Sequence, residues 1–260
     1  MHPIAFHFGS LTVTWYGVMV ATAFVAGLWT ASRRALRSGI SSEQVLDLGP
    51  WLIIGAILGA RSLYVLSYWQ EQFAGRSIME IFKVWHGGLV YYGGLIGATL
   101  GGILYARLKK IQLWRLADVI APSIALGYVF GRIGCLMNGC CYGRECHLPW
   151  AITFPDTSVL PPHGVPLHPT QIYDSLLNLV FYAFLAWLYR HKKFDGQVFA
   201  VYLVGYAILR SFVEFFRGDY PQYYLGGWAT PAQLVSIVIL LIGVALWCAL
   251  SRVGPRQRPA

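Results

Sequence analysis

The chain has 260 residues, of which 57% are hydrophobic and only 12% charged, too few polar residues to cover a soluble globule of this size. The formal charge of +9 does not indicate nucleic acid, because 13 of the 20 Lys and Arg residues lie in short stretches between apolar runs or in the tail, where they act as topology signals. The opening MHPIAFHFGS has neither a basic region nor an apolar run of its own, so no cleaved signal peptide is expected.

Seven runs are long enough to cross about 30 Å of hydrocarbon. They fall at 12-32, 47-68, 88-107, 117-136, 170-189, 197-216 and 230-250. The fold expected is an all-α, polytopic bundle of seven helices in one catalytic domain over 1-250, with a basic tail at 251-260. Arg61 and Arg210 fall inside the second and sixth runs, and Pro122 and Arg132 interrupt the fourth. In the third run, Gly93, Gly97 and Gly101 share one face at spacing four, a pattern that permits close helix packing.

Basic residues alternate between the connections. Arg33, Arg34 and Arg37 follow the first run; Arg107, Lys109, Lys110 and Arg115 lie between the third and fourth; Arg190, Lys192 and Lys193 lie between the fifth and sixth; and Arg252, Arg256 and Arg258 close the chain. The opposite connections hold only Arg76, Lys83, Arg144 and Arg217. The positive side is cytoplasmic, so the amino terminus is expected outside and the tail inside. The proline-rich connection 137-169 then forms an external head.

Intramembrane charges are costly and face a cavity or a partner. Here they gather in one leaflet. Arg61, Arg132, Arg210, Glu214 and Arg217 all fall in the outer half, with Tyr16 at the start of the first run and His168, Gln171 and Tyr173 at the start of the fifth. Glu214 is spaced i,i+4 from Arg210 and i,i+3 from Arg217, which is compatible with a structural ion-pair network. It is equally the layout of an anion site, because guanidinium forms paired hydrogen bonds to phosphate oxygens. Glu214 is the one acidic residue counted among these arginines, so positive charge remains for a ligand, and a phospholipid head group is the nearest anion. In GRIGCLMNGCCYG, residues 131-143, Arg132 and Asn138 stand beside flexible glycines. Cys135, Cys140, Cys141 and Cys146 follow a C-x4-C-C-x4-C spacing that does not match the common zinc pattern; a structural cluster, dispensable for chemistry, is expected. No HExxH, GxSxG or P-loop is present.

WYG at 15-17, GAR at 59-61, GGLVYYGGLIG at 87-97, ADVIAP at 117-122, GRIGCLMNG at 131-139, HPTQIYD at 168-174 and YAILRSFVEFFR at 206-217 occur in this order. In that series the chain resembles the bacterial prolipoprotein diacylglyceryl transferases over roughly residues 3-247. The resemblance implies a bacterial plasma-membrane enzyme that moves the diacylglyceryl group of phosphatidylglycerol to the lipobox cysteine of a prolipoprotein, releasing glycerol 1-phosphate. It places Tyr16, Arg132, Asn138, Gly143, Tyr206, Arg210, Glu214 and Arg217 in or near motif regions of substrate binding or catalysis. The family's histidine falls at Tyr92 here, in YYGG rather than FHGG, and Cys135 and Cys140 also depart from the family pattern.

On this reading Arg132 and Arg210 hold the lipid phosphate, with Arg217, Arg61 and Tyr206 beside them. Glu214 orients the guanidiniums, Tyr16 and Asn138 donate hydrogen bonds, and Tyr92 or His168 relays a proton. No cofactor and no metal is expected, since the lipid carries its own leaving group. The partners are the donor lipid and the prolipoprotein, not nucleic acid, and a monomer is favoured. A lipid or small-anion transporter and a thiol-redox protein are the rival readings.

Overall fold

The computed structural model describes residues 3–9, 11–84, 87–155, 162–219 and 230–252, leaving residues 156–161 of the expected head and 253–260 of the tail outside the described residues. Among the described residues there are seven long helices, α1 (Trp15–Ala35), α2 (Ser42–Ser67), α4 (Tyr91–Leu108), α5 (Leu113–Asn138), α6 (Thr170–His191), α7 (Gln197–Glu214) and α8 (Pro231–Ser251), together with the single-turn α3 (Met79–Phe82). Each long helix covers most of one of the expected runs. Six of them, all but α4, are long and apolar enough to cross a membrane. Large apolar side chains such as Val180, at 70% exposure, and Leu241, at 63%, face outward, as a lipid solvent requires and water would not tolerate.

Neither Pro122 nor Arg132 interrupts the fourth run: both lie inside α5, which is 26 residues long. Two short antiparallel ribbons accompany the helices, β1 (Ile4–Phe8) with β2 (Leu11–Thr14), and β3 (Ile152–Thr153) with β4 (Pro166–Leu167).

The chain forms two compact units, residues 32–116 and residues 1–31 with 117–260. In the first, α2 and α4 pack backbone to backbone. A Cβ on Gly97 would lie 2.0 Å from the Gly55 carbonyl oxygen, and one on Gly59 would lie 2.3 Å from that of Gly93. The glycine face of α4 therefore meets a matching Gly55/Gly59 face on α2, and no side chain fits between them. Arg61 in the same unit directs Nε to the Ile81 carbonyl at 2.7 Å, one terminal nitrogen to Gly87 and Gly88 at 2.9 and 3.2 Å, and the other to Glu80 at 2.6 Å.

In the second unit, α1 and α5 meet where the Ser123 hydroxyl donates to the Gly27 carbonyl at 2.7 Å and contacts the Thr30 hydroxyl at 2.9 Å. Asp118, fully buried, joins three segments. Its carboxylate accepts from the Gly196 and Phe199 amides at 2.8 and 3.0 Å, satisfying donors at the start of α7, and pairs with the Lys192 ammonium at 2.8 Å. Asp118→Ala is expected to cost about 3–5 kcal/mol, because it strands buried donors and a half-neutralised cation. Asp118→Asn, which retains one carbonyl acceptor, should lose less. Thermal unfolding of the detergent-solubilised variants checks this order.

Candidate active site

The polar cluster of the larger unit lies where α5 and α7 finish and α6 and α8 begin. Each arginine there has a carboxylate. Arg132, on the last turns of α5, pairs through Nε with Asp174 Oδ2 at 3.0 Å and donates a terminal N–H to the Tyr128 hydroxyl. Arg210 pairs with Glu214 Oε2 at 2.5 Å, one turn further along α7. Arg217 reaches the same oxygen at 3.8 Å and forks onto both oxygens of Asp219 at 2.9 and 2.7 Å.

Glu214 is held from the other side. The Thr230 hydroxyl donates to its Oε1 at 2.7 Å while accepting from the Gln233 amide as the N-cap of α8. Asp174, 2% exposed, has Arg132 as its ion-pair partner and lies within the electrostatic reach of Arg210 and Arg217. Tyr206 stacks edge-on against Tyr128, the tyrosine whose hydroxyl accepts from Arg132, with ring centres 6.0 Å apart.

The count of one acidic residue is therefore corrected. Asp174 and Asp219 join Glu214, so three carboxylates face Arg132, Arg210 and Arg217. Asp174 was visible in HPTQIYD as a carboxylate near the start of an apolar helix, itself a signal of a buried partner. Asp219 lies just beyond the last motif.

Beside the arginines the chain 142–146 runs between two others. Gly143 and Arg144 exchange hydrogen bonds with His168, the Arg144 amide donates to the Phe216 carbonyl at 2.8 Å, and the Gly218 amide donates to Tyr142 at 3.2 Å. Gly143 pairs with Arg217 as an antiparallel bridge. The His168 ring contacts the Tyr173 hydroxyl through Nδ1 at 3.2 Å, and the Trp150 indole donates to that same hydroxyl at 2.7 Å. Tyr16, 45% exposed, leans on Gly134, and Asn138 ends α5 with its side chain on the Cys140 thiol.

Cys135, Cys140 and Cys141 converge, their sulfurs all within 4.8 Å of one another, whereas the buried Cys146 is not part of the group. All are free thiols. The Cys141 thiol is held far below its ordinary range by hydrogen bonds from Cys135 and Cys140 and by the charges of Arg132 and Arg217, against the opposing effect of burial. Two expected site residues belong to the other compact unit. Tyr92, 55% exposed, lies in the first turn of α4 with its ring 5.8 Å from that of Tyr91, and Arg61 is bound to the carbonyls described above.

Residues 3–249 match the family model described as prolipoprotein diacylglyceryl transferase. Among similar proteins, the phosphatidylglycerol–prolipoprotein diacylglyceryl transferase of Geobacillus kaustophilus (strain HTA426) is 39% identical, the match covering 93% of this chain and 89% of that protein. The enzyme of the same name from Nitratidesulfovibrio vulgaris is 38% identical over 99% of this chain and 96% of its own length. That of Synechococcus elongatus is 38% identical over 93% of this chain and 85% of its own. Spans suited to a bilayer, a buried arginine cluster and similarity along nearly the whole chain agree, and this chain belongs to the prolipoprotein diacylglyceryl transferase family.

Proposed function

We propose that the arginine cluster of Arg132, Arg210 and Arg217 is the phosphate site of a diacylglyceryl transferase. The reaction is that of the family: the diacylglyceryl group of phosphatidylglycerol passes to the thiol of a prolipoprotein's lipobox cysteine. A sulfur–carbon bond forms, the carbon–oxygen bond to phosphate breaks, and glycerol 1-phosphate leaves with the electron pair. The observation that carries the assignment is the gathering of Arg132, Arg210 and Arg217, each paired with a carboxylate, where α5 and α7 finish.

Charge grows on the departing phosphate as its bond to carbon breaks, so donors fixed in advance favour the transition state over the bound lipid. Arg132 uses Nε and one terminal nitrogen within the protein, which leaves its other terminal nitrogen for the phosphate. Glu214 and Asp174 orient the guanidiniums. Tyr206, Tyr16 and Asn138 complete the surroundings as hydrogen-bond donors, and His168 relays a proton; Tyr92, the other relay candidate read from the sequence, belongs to the other compact unit. Arg61, read from the sequence as a further phosphate ligand, belongs to the other compact unit, where four of its five N–H groups face carbonyls.

The basic connections support an orientation with this end of the helices at the outer leaflet of a bacterial plasma membrane and all seven long helices spanning it. Reconstitution into vesicles with labelled phosphatidylglycerol and a lipobox peptide tests the function. The expected products are a peptide carrying label through a thioether and free glycerol 1-phosphate. Labelled lipid moving between leaflets without peptide modification would support a transporter instead.

A further inference from the structure

Transfer to sulfur needs the acceptor as a thiolate, which is far more nucleophilic than the thiol. The carboxylates near the arginines are poorly placed to remove that proton: Asp174, Glu214 and Asp219 are each held in an ion pair. What the fold does assemble there is a set of three thiols.

Consecutive residues ordinarily send their side chains apart, yet Cys140 and Cys141 both point at Cys135. The reason is local. Cys141 has φ +62°, one of only two non-glycine residues with positive φ among the described residues, and this left-handed turn folds its thiol back. The turn is clamped by its neighbours. The Cys140 amide bonds to the Cys135 carbonyl at 3.1 Å, and the Cys140 and Cys141 carbonyls accept from Gln171 Nε2 and the Thr170 hydroxyl, both at 2.7 Å. Thr170 and Gln171 are each 1% exposed, and Gln171 Oε1 has no hydrogen-bond partner among the described residues. Such buried support is the kind that orients metal ligands.

We propose, building on the transferase reading, that Cys135, Cys140 and Cys141 bind a zinc ion through three thiolates and leave its fourth position to the acceptor cysteine, which joins as a thiolate. Zinc–sulfur bonds of about 2.3 Å set tetrahedral thiolates about 3.8 Å apart. The sulfurs, all within 4.8 Å of one another, need close by no more than about an ångström. Three protein ligands and one open position are the arrangement of a catalytic rather than a structural zinc. The C-x4-C-C spacing conceals it, because the left-handed turn rather than a helical or short-loop repeat brings the ligands together.

Binding releases one proton from each of the three thiols to solvent and gives a complex of charge −1, near the guanidiniums of Arg132 and Arg217. The acceptor thiol gives up its proton to solvent on joining the metal. Its sulfur then attacks the diacylglyceryl carbon, the phosphate departs with the carbon–oxygen electron pair, and the neutral thioether, a weak ligand, leaves the zinc. Arg132 and Arg217 thereby link the two halves of the reaction, favouring thiolate on one side and phosphate on the other.

The test uses the full chain in detergent, reduced, stripped with a chelator and titrated with Co²⁺ as a spectroscopic stand-in for zinc. One equivalent is expected to produce intense thiolate-to-cobalt charge transfer, which grows on addition of a lipobox peptide and not of its Cys-to-Ser counterpart. Cys135→Ser, Cys140→Ser and Cys141→Gly should each weaken binding by at least about tenfold. Cys141→Gly deletes the thiol while keeping the left-handed backbone accessible, so its failure cannot be laid to folding. Cys146→Ser and Cys248→Ser should bind as the parent does. Absence of the cobalt band in fully reduced protein, or a disulfide among the three cysteines that persists in the active enzyme, overturns the proposal. Full transfer by the stripped protein overturns the metal's role while leaving the transferase intact. Charge transfer that responds to the peptide, without lipid transfer by any preparation, instead counts against the transferase reading and upholds the thiol site.

Discussion

Replacing Arg210 by alanine is expected to lower single-turnover transfer to a lipobox peptide by about 10²–10³, the loss typical of removing one fixed donor from a developing anion. Arg210→Lys keeps the charge but not the paired hydrogen-bond geometry of guanidinium, so it should fall in the same direction and less far. Arg210 is 8% exposed and paired with Glu214, so a structural role makes a competing forecast. If Arg210 serves only to neutralise Glu214, its removal leaves a buried carboxylate poorly compensated and costs about 3–5 kcal/mol of stability. Glu214 would still have the Thr230 hydroxyl at 2.7 Å and Arg217 at 3.8 Å, which argues for a smaller structural loss. The deciding comparison is transfer and thermal stability for the parent, R210K, R210A and R210A/E214A on the same preparations. Recovery of both stability and transfer in the double variant would make Arg210 a counter-ion and remove it from the phosphate site.

Gly143→Ala should be as damaging, for a steric reason. A Cβ there would lie 2.5 Å from both the His168 Cβ and the His168 carbonyl oxygen, and 2.9 Å from the Phe216 carbonyl oxygen. None of these atoms is the free end of a flexible side chain. The 142–146 segment would have to leave its place between His168 and Phe216, and Arg217, bridged to Gly143, would move with it. A displacement of about 1 Å costs on the order of 10² in rate where positioning carries the catalysis. Gly131→Ala is the matched control, since a Cβ at Gly131 meets nothing within 4 Å, and its effect should stay within about 0.5 kcal/mol. Equal transfer by both variants would show that the 142–146 segment does not position Arg217.

Contacts within one helix were legible in advance. Arg210 and Glu214 share a face of α7 by spacing alone, and the structure joins them as an ion pair, whereas Arg217, expected on the same face, lies just beyond the end of α7 and reaches Glu214 at 3.8 Å from there. The glycine face of α4 was equally plain, though its partner face, Gly55 and Gly59 on α2, required the packing itself.

Sequence by itself determined the long helices, because about twenty apolar residues in succession can satisfy their backbone in lipid only by coiling. It also determined the arginine cluster's place near one end of the helices, and the family, through motifs spread along the chain. Tertiary structure alone decided the partner of Arg132, because Asp174 meets it from another helix; Asp219 closes on Arg217 from two residues away in irregular chain, a local contact that no helical period encodes. It also decided that Arg61 spends four N–H groups on the backbone of its own unit, and that three cysteines in an unpromising spacing share one point in space. Periodicity reports which face of an element a residue occupies. Which side chains then meet is settled by backbone turns such as that at Cys141 and by contacts across helices, which have no period to read.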